Sequence, residues 1–486
     1  MKSSVYRLPF ALSVVFASML SGVAYAEDDD VDVMGDMSLQ DLFAIDTDIA
    51  GNTARDVTEQ PSIISVITRE QILNSGARDL IDVLRMVPGF GFGHDTVGIN
   101  SVGFRGIWGH EGKIMLMIDG APYNDAAWGN LQFGRHYPVE LISKVEIIRG
   151  PGAAKYGNYA ELAMIKVTTI GEEVEGSFVD TNIRAMDDIF GSGELTAMFG
   201  GRNGDDIGYS TSLHVKQGNR TNIPFQDSTG TISTYQNNSP IKVVSWDGKV
   251  RYKDFELTSV IEQYNFEHAE NLLQVPDPAM TMDQGYDRFH LAGDYSGELS
   301  ESWSLNANYL YQETMSHDMV VTESRNNDLL IGSHYRVETE SSIDSIYAIW
   351  TISEDDSLNF GFEYFDVGAT SLAIGEFFAL PEQDGIPTDL GFYADIWFDG
   401  FTRNNYEFHQ KSAFIQYENY NDIVNFTLGL RFADHSRSSE KVTVPRIGLS
   451  KKWGNFGAKL MYSEAFRTGD AEHLNLASAP LKPETL

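Results

Sequence analysis

The chain has 486 residues, 42% of them hydrophobic, so its length allows more than one domain and a large core. Its 70 acidic against 35 basic side chains give a net charge of −35, which argues against nucleic acid as a partner. With no cysteine, it has neither a disulfide framework nor a thiol nucleophile.

The first 26 residues carry Lys2 and Arg7, then a short apolar run ending at Ala24-Tyr25-Ala26, before the acidic Glu27-Asp28-Asp29-Asp30. A positive start, a short apolar stretch and small residues at the cut mark a secretory signal peptide, assigned to 1–26. Losing Lys2 and Arg7 takes the net charge from −35 to −37. No later stretch reaches the ~18 apolar residues of a membrane-spanning helix, so a membrane protein built from this chain has to cross with strands.

Residues 27–60 are polar and acidic without sustained periodicity and read as a flexible leader, too short for a domain of its own. Its one partly apolar island is SLQDLFAIDTDIA at 38–50. From 61 to 171 the pattern is compact and mixed α/β. A β-branched strand covers 62–68, Thr68 with Gln71 makes a capping box, and Leu80, Val83, Leu84 and Val87 place a helix that Pro88-Gly89 ends. Ile142, Val145, Ile147 and Ile148 form a buried strand, Arg149-Gly150-Pro151-Gly152 breaks it, and a second strand starts over 162–169.

After Gly171 the texture changes to alternation. Trp303, Leu305, Ala307, Tyr309 and Tyr311 face one side while Ser304, Asn306, Asn308 and Gln312 face the other, and the split recurs over 358–364 and 424–432. Apolar-out, polar-in segments of about ten residues, rich in aromatics, are the pattern of a membrane barrel with a wet lumen. Short turns near 203–206, 253–254, 297–302, 354–357 and 421–422 alternate with long connections near 217–241, 267–284, 315–340 and 369–408, as periplasmic turns and extracellular loops do. The last of these connections holds seven acids against one base, which favours a neutral or cationic ligand over a strongly anionic one.

Six short pieces stand in order: VITRE at 66–70, DVLRMVPG at 82–89, Arg105-Gly106, IDG at 118–120, VEIIRGP at 145–151 and Tyr156-Gly157. In this register they resemble the plug domain of TonB-dependent outer-membrane receptors. The resemblance implies a mixed α/β plug domain at 61–171, held by an antiparallel transmembrane β-barrel whose N-terminal part is 172–486, in the outer membrane of a Gram-negative bacterium. It implies energy-coupled uptake of a scarce, bulky nutrient such as a metal chelate, a siderophore among them, with no resident cofactor or metal. The implied partners are the periplasmic domain of TonB, the small-molecule ligand and outer-membrane lipid. The TonB box, which adds to TonB as an extra strand, is matched to Ile45, Asp46, Thr47, Asp48, Ile49 and Ala50, with Asp46 and Asp48 departing from its usual hydrophobic and threonine-rich form. The apical plug loops then offer Phe92, His94, Trp108, His110, Tyr123 and Trp128 as ligand contacts, being stacking surfaces and neutral imidazoles. Arg105 and Arg149 match plug arginines that pair with barrel glutamates.

No enzyme motif competes: His110-Glu111 lacks the second histidine of a zinc-protease helix, and no nucleophile elbow is present. The alternatives are a passive porin, which a plug would block, and a barrel-anchored adhesin or hydrolase. Alternation yields about 13–14 strands where the resemblance implies 22, and the end, LKPETL at 481–486, resembles a motif of that family that opens a further strand. The expectation is therefore a fragment, with an open curved sheet around the plug and Arg105 and Arg149 without barrel carboxylates.

Overall fold

The computed structural model describes residues 46–47, 49, 51, 55–60, 62–94, 100–109, 112–131, 136–152, 156–186, 189–222, 224–226, 232–234, 239–268, 280–323, 330–377, 400–454, 456–476 and 481–486. The signal peptide, the leader up to Ile45, and most of the acidic segment, at 378–399, lie outside these residues.

The small N-terminal domain is built on a five-stranded sheet. Strands β3 (Ile64–Thr68), β9 (Ile142–Ile148), β10 (Ala163–Thr169), β7 (Ile114–Ile118) and β8 (Ala121–Pro122) lie in that order, with only β7 and β10 parallel. The Thr68 capping box forms, but the expected helical stretch is two short helices, α1 (Arg69–Ser75) and α2 (Leu80–Arg85), separated at Gly76. They lay Ile72, Leu80, Ile81, Val83 and Leu84 onto Ile142, Val145, Ile147, Ile165 and Val167, an apolar core from which water is excluded. A separate three-stranded sheet holds β4 (Phe90–His94), β5 (Asn100–Phe104) and β6 (Ile107–Trp108). Two of the sequence motifs are hairpin turns. Arg105-Gly106 joins β5 to β6 and Asp119-Gly120 joins β7 to β8, each with both residues at positive φ, between 48 and 83°. Two-residue turns of this hand match the twist of the strands they connect, which calls for glycine at the second position.

The rest is one thirteen-stranded antiparallel sheet. It runs from β11 (Gly176–Met186), β12 (Ile189–Asn203) and β13 (Ile207–Asn219) through β16 (Pro240–Tyr252), β17 (Phe255–His268), β18 (Met280–Ser300), β19 (Trp303–Glu323), β20 (Leu330–Thr351), β21 (Asp356–Phe377), β22 (Gly400–Asn419), β23 (Asn425–His435) and β24 (Val442–Trp453) to β25 (Phe456–Ser463). A short ribbon of β14 (Pro224–Gln226) and β15 (Ile232–Thr234) stands in the connection from β13 to β16. The sheet is not closed among the described residues: β11 and β25 are its two edges. Beyond β25 the chain turns back onto the plug as β26 (Phe466–Arg467), α3 (Ala471–Leu476) and β27 (Glu484–Thr485), β26 pairing with β27.

Burial follows the alternation with polarity reversed from a water-soluble sheet. Outward-facing Leu257, Phe362, Leu428 and Leu430 are exposed, whereas inward-facing Glu262, Gln416, Glu418, Thr427 and Arg431 are buried. An exposed apolar row suits hydrocarbon and a polar interior suits a wet, plug-filled lumen. The long connections are shorter than expected. Strands β19 and β20 continue to Glu323 and from Leu330, and β21 and β22 to Phe377 and from Gly400, so paired backbone extends well into segments assigned to loops.

Candidate functional site

At the short-turn end of the wall, the chain ahead of the plug is docked rather than free. Strand β1 (Asp46–Thr47) pairs antiparallel with β2 (Arg55–Asp56). Thr47 is buried; its hydroxyl donates to Glu146 Oε1 at 2.6 Å, its carbonyl accepts from Gln60 Nε2 at 2.6 Å, and the Ile49 amide donates back to its hydroxyl at 3.2 Å. Ile49 is fully buried beside Ile64, Met115, Ile148 and Met164. Glu146 comes from the centre of β9 and is itself inaccessible, with Lys144 at 3.2 Å and Lys166 at 3.8 Å compensating its charge. The expected flexible leader is therefore ordered against the plug at Thr47, at Ile49 and from Arg55 onward, because a buried carboxylate and an apolar slot give it partners.

Residues 56–62 are in turn held by the wall. Lys452 pairs with Asp56 at 3.2 Å, Lys459 donates to the carbonyls of Val57 at 2.6 Å and Ser62 at 2.8 Å, and Arg446 donates to the Ser62 hydroxyl at 2.7 Å. Burial pushes the Asp56 carboxyl up, but hydrogen bonds from Thr58 and Lys452 outweigh it and hold the group below the usual range. Of the TonB-box residues, Ile45, Asp48 and Ala50 lie outside the described residues, and only the backbone of Asp46 is described.

The predicted ligand contacts separate into two groups. Tyr123 and Trp128 sit on the loop after β8, which Asn124 fixes by accepting from the Leu116 amide at 3.1 Å and donating to the carbonyls of Ile114 and Gly129 at 2.9 and 3.0 Å. Tyr123 is buried against the wall: its hydroxyl donates to Glu262, and its ring lies 3.6 Å beneath the Arg288 guanidinium. Arg288 also donates to the Tyr123 carbonyl at 2.9 Å. His136 reaches Glu262 at 3.6 Å and stacks on Tyr264 at 4.5 Å; burial lowers its pKa and favours the neutral ring. Trp128 meets the edge of His473 at 5.9 Å. Phe92 and Trp108 belong instead to the three-stranded sheet, Phe92 packing on Phe90 and under Arg85, Trp108 half exposed. The His94 side chain and all of His110 lie outside the described residues.

The segment after β25 completes the inner surface. Asp470 accepts from the Tyr159 hydroxyl at 2.7 Å and lies 3.5 Å from both Arg467 and His473. The Ala471 amide donates to the Ala126 carbonyl at 3.3 Å, so this strap seats directly on the Tyr123 to Trp128 loop. Nearby, Glu484 bridges Lys113 and Arg467, while buried Glu161 has one carboxyl oxygen without a hydrogen-bond partner among the described residues. Burial, with the neighbouring Glu484 charge, pushes the Glu161 carboxyl up to about 7. Arg105 donates to the Arg149 carbonyl at 3.3 Å, and neither arginine makes an ion pair among the described residues. Burial lowers the Arg149 pKa, and the Arg105 charge adds to this. Glu146, Glu262, Arg288, Asp470 and His473 were not singled out in the sequence. The inward parity of Glu262 and Arg288 was legible there, but not which plug loop meets them.

A small mixed domain seated against a sheet that is apolar outside and polar inside defines a plugged outer-membrane barrel wall. Residues 56–160 match the TonB-dependent Receptor Plug Domain, and residues 217–486 match the TonB dependent receptor-like β-barrel. The chain belongs to the TonB-dependent receptor family, whose members reside in the outer membrane of Gram-negative bacteria and are not enzymes. It is 33% identical over 177 residues to the vitamin B12 transporter BtuB of Vibrio vulnificus (strain CMCP6), a stretch covering 35% of this chain and 26% of that protein. Its fold is similar to the siderophore receptor PirA from Acinetobacter baumannii, with a TM-score of 0.61 at 17% identity, covering 84% of this chain and 62% of that one. The pyoverdine receptor FpvA from Pseudomonas aeruginosa PAO1 superposes with a TM-score of 0.66 at 14% identity, over 90% of this chain and 67% of that one.

Proposed function

We propose that this chain acts in energy-coupled uptake of a bulky small molecule, a metal chelate such as a siderophore or a vitamin B12-like compound, with residues 45–50 as the segment that TonB captures. The observation that carries this reading is the docking of Thr47 on Glu146. A short strand, held by one ladder and a few hydrogen bonds at the short-turn end, can exchange its pairing for an incoming strand without unfolding the plug core. The names of the relatives, a vitamin B12 transporter and siderophore receptors, support a bulky cargo. Tyr123 and Trp128, on a loop bound both to the wall and to the Asp470 strap, are positioned to pass a change above them to the plug.

Thr47→Pro tests the reading, because proline removes a ladder donor and fixes φ. Cells supplied with labelled cyanocobalamin or a ferric siderophore are expected to keep surface binding of whichever one is the cargo while losing its TonB-dependent accumulation. Unchanged accumulation would move the coupling segment elsewhere in the leader.

A further inference from the structure

Four non-glycine residues among those described have the left-handed backbone that L side chains avoid: Arg105, Asp119, Lys253 and Tyr159. The first three lie in tight hairpin turns, where that hand is required. Tyr159 does not: it precedes β10, with φ at 73°, and is buried. A bulky aromatic stays in this region only when its surroundings over-determine it. Two contacts do so here. The ring lies against Gly112, where an added Cβ would stand 2.8 Å from its Cδ1, and the hydroxyl donates to Asp470 Oδ1 at 2.7 Å.

Tyr159 joins two parts of the molecule that are otherwise remote. At one end, Asp470 belongs to the strap that seats on the Tyr123 to Trp128 loop, and the Thr468 amide of the same strap donates to Asn158 Oδ1 at 3.0 Å. At the other end, the Tyr159 ring shares one apolar cluster with Ile49, Ile64, Met115, Ile148 and Met164, the slot that holds the chain ahead of the plug. A backbone moving from the left-handed region to ordinary φ re-aims its Cβ, so the ring would leave this cluster and open space beside Ile49. The single hydrogen bond to Asp470 therefore maintains both the strained backbone and the filled slot.

We propose that Tyr159 is a positioning residue for coupling: while Asp470 holds its hydroxyl Ile49 stays buried, and displacement of the strap by cargo releases Tyr159 and exposes Ile49. This role rests on residues 45–50 being the segment that TonB captures. The absence of native cysteine gives a direct probe, maleimide labelling of Ile49→Cys in the full chain in mild detergent. Val83→Cys, on the opposite side of the plug sheet, reports any general loosening. Tyr159→Phe and Asp470→Ala are each expected to speed labelling at position 49 at least tenfold and to leave position 83 unlabelled. Combined, they are expected to go no further than either alone, because both remove the same bond, whereas two independent structural defects would multiply. An unchanged rate at Ile49→Cys, or multiplied effects in the double variant, would overturn this role. Should Tyr159→Phe lose plug protease resistance, Asp470→Ala, which lies outside the plug, decides alone. Faster labelling without greater capture by the periplasmic domain of TonB would uphold the link from Asp470 to Ile49 and overturn residues 45–50 as the coupling segment.

Discussion

In the plug, Val145 and Ile165 are fully buried, and its inaccessible Glu146 is matched with two lysines and a threonine. In the wall around it, Leu428 and Phe362 are exposed while Gln416, Thr427 and Arg431 are buried. Both regions obey one rule, that apolar surface leaves water, but they have different surroundings: the plug hides its apolar side chains within itself, and the wall offers them to hydrocarbon. A charge in place of an apolar side chain should therefore be costly in both regions, in the plug because the site is enclosed and on the wall because it faces hydrocarbon.

The largest effect is expected where the plug core is charged. Ile165→Asp places an unpaired carboxylate in a fully enclosed site and is expected to remove the plug's protease resistance altogether, a loss beyond about 4 kcal/mol. On the wall, Leu428→Arg is expected to destabilise by about 2–4 kcal/mol if the residue lies near the bilayer midplane, read as a lower midpoint in urea-driven release from lipid vesicles. An arginine tolerated at Leu428 without loss would contradict the outward assignment. Where the two regions meet, Tyr123→Phe removes the donor to buried Glu262 and should lower stability by about 1.5–3 kcal/mol. If Tyr123 instead contacts ligand directly, its loss will appear in ligand affinity and leave the unfolding midpoint where it was.

A subtler contrast concerns pH. Glu161 has its folded pKa raised from 4.5 to about 7, so between these values the folded state holds more protons than the unfolded state. Its contribution is thus fully present below the unfolded pKa and is lost as pH rises through the folded one. Glu161→Gln is expected to flatten the stability profile between pH 4.5 and 7 and to leave the variant more stable than wild type at pH 8. A wild-type profile already flat over that range would remove this role.

How much of this was legible before the structure depended on solvent. Within the membrane each strand must alternate, so 303–312, 358–364 and 424–432 announced themselves, as did the strand and turn around Arg149-Gly150. Above the membrane neither face needs to be apolar, so the upper halves of β19 to β22 carry no period and read as loops although they are paired. Turn chemistry was also readable: the Arg105-Gly106 and Asp119-Gly120 pairs were visible as motifs, and the structure supplies the reason in their positive φ. Partners at long range were not. Nothing in the local pattern of Thr47 points to Glu146, 99 residues away, or of Tyr123 to Glu262, 139 residues away. Register fixes those meetings, and it is set by the whole fold.

The account rests most on β1 being a releasable strand, and the absence of native cysteine makes this directly testable. Asp46 and Asp56 are opposite partners in the β1–β2 ladder, close enough for a disulfide between Asp46→Cys and Asp56→Cys. Capture of the purified double variant by the periplasmic domain of TonB should fail while the bridge is oxidised and return on reduction, with plug protease resistance the same in both states. Equal capture in the oxidised and reduced forms would contradict the account.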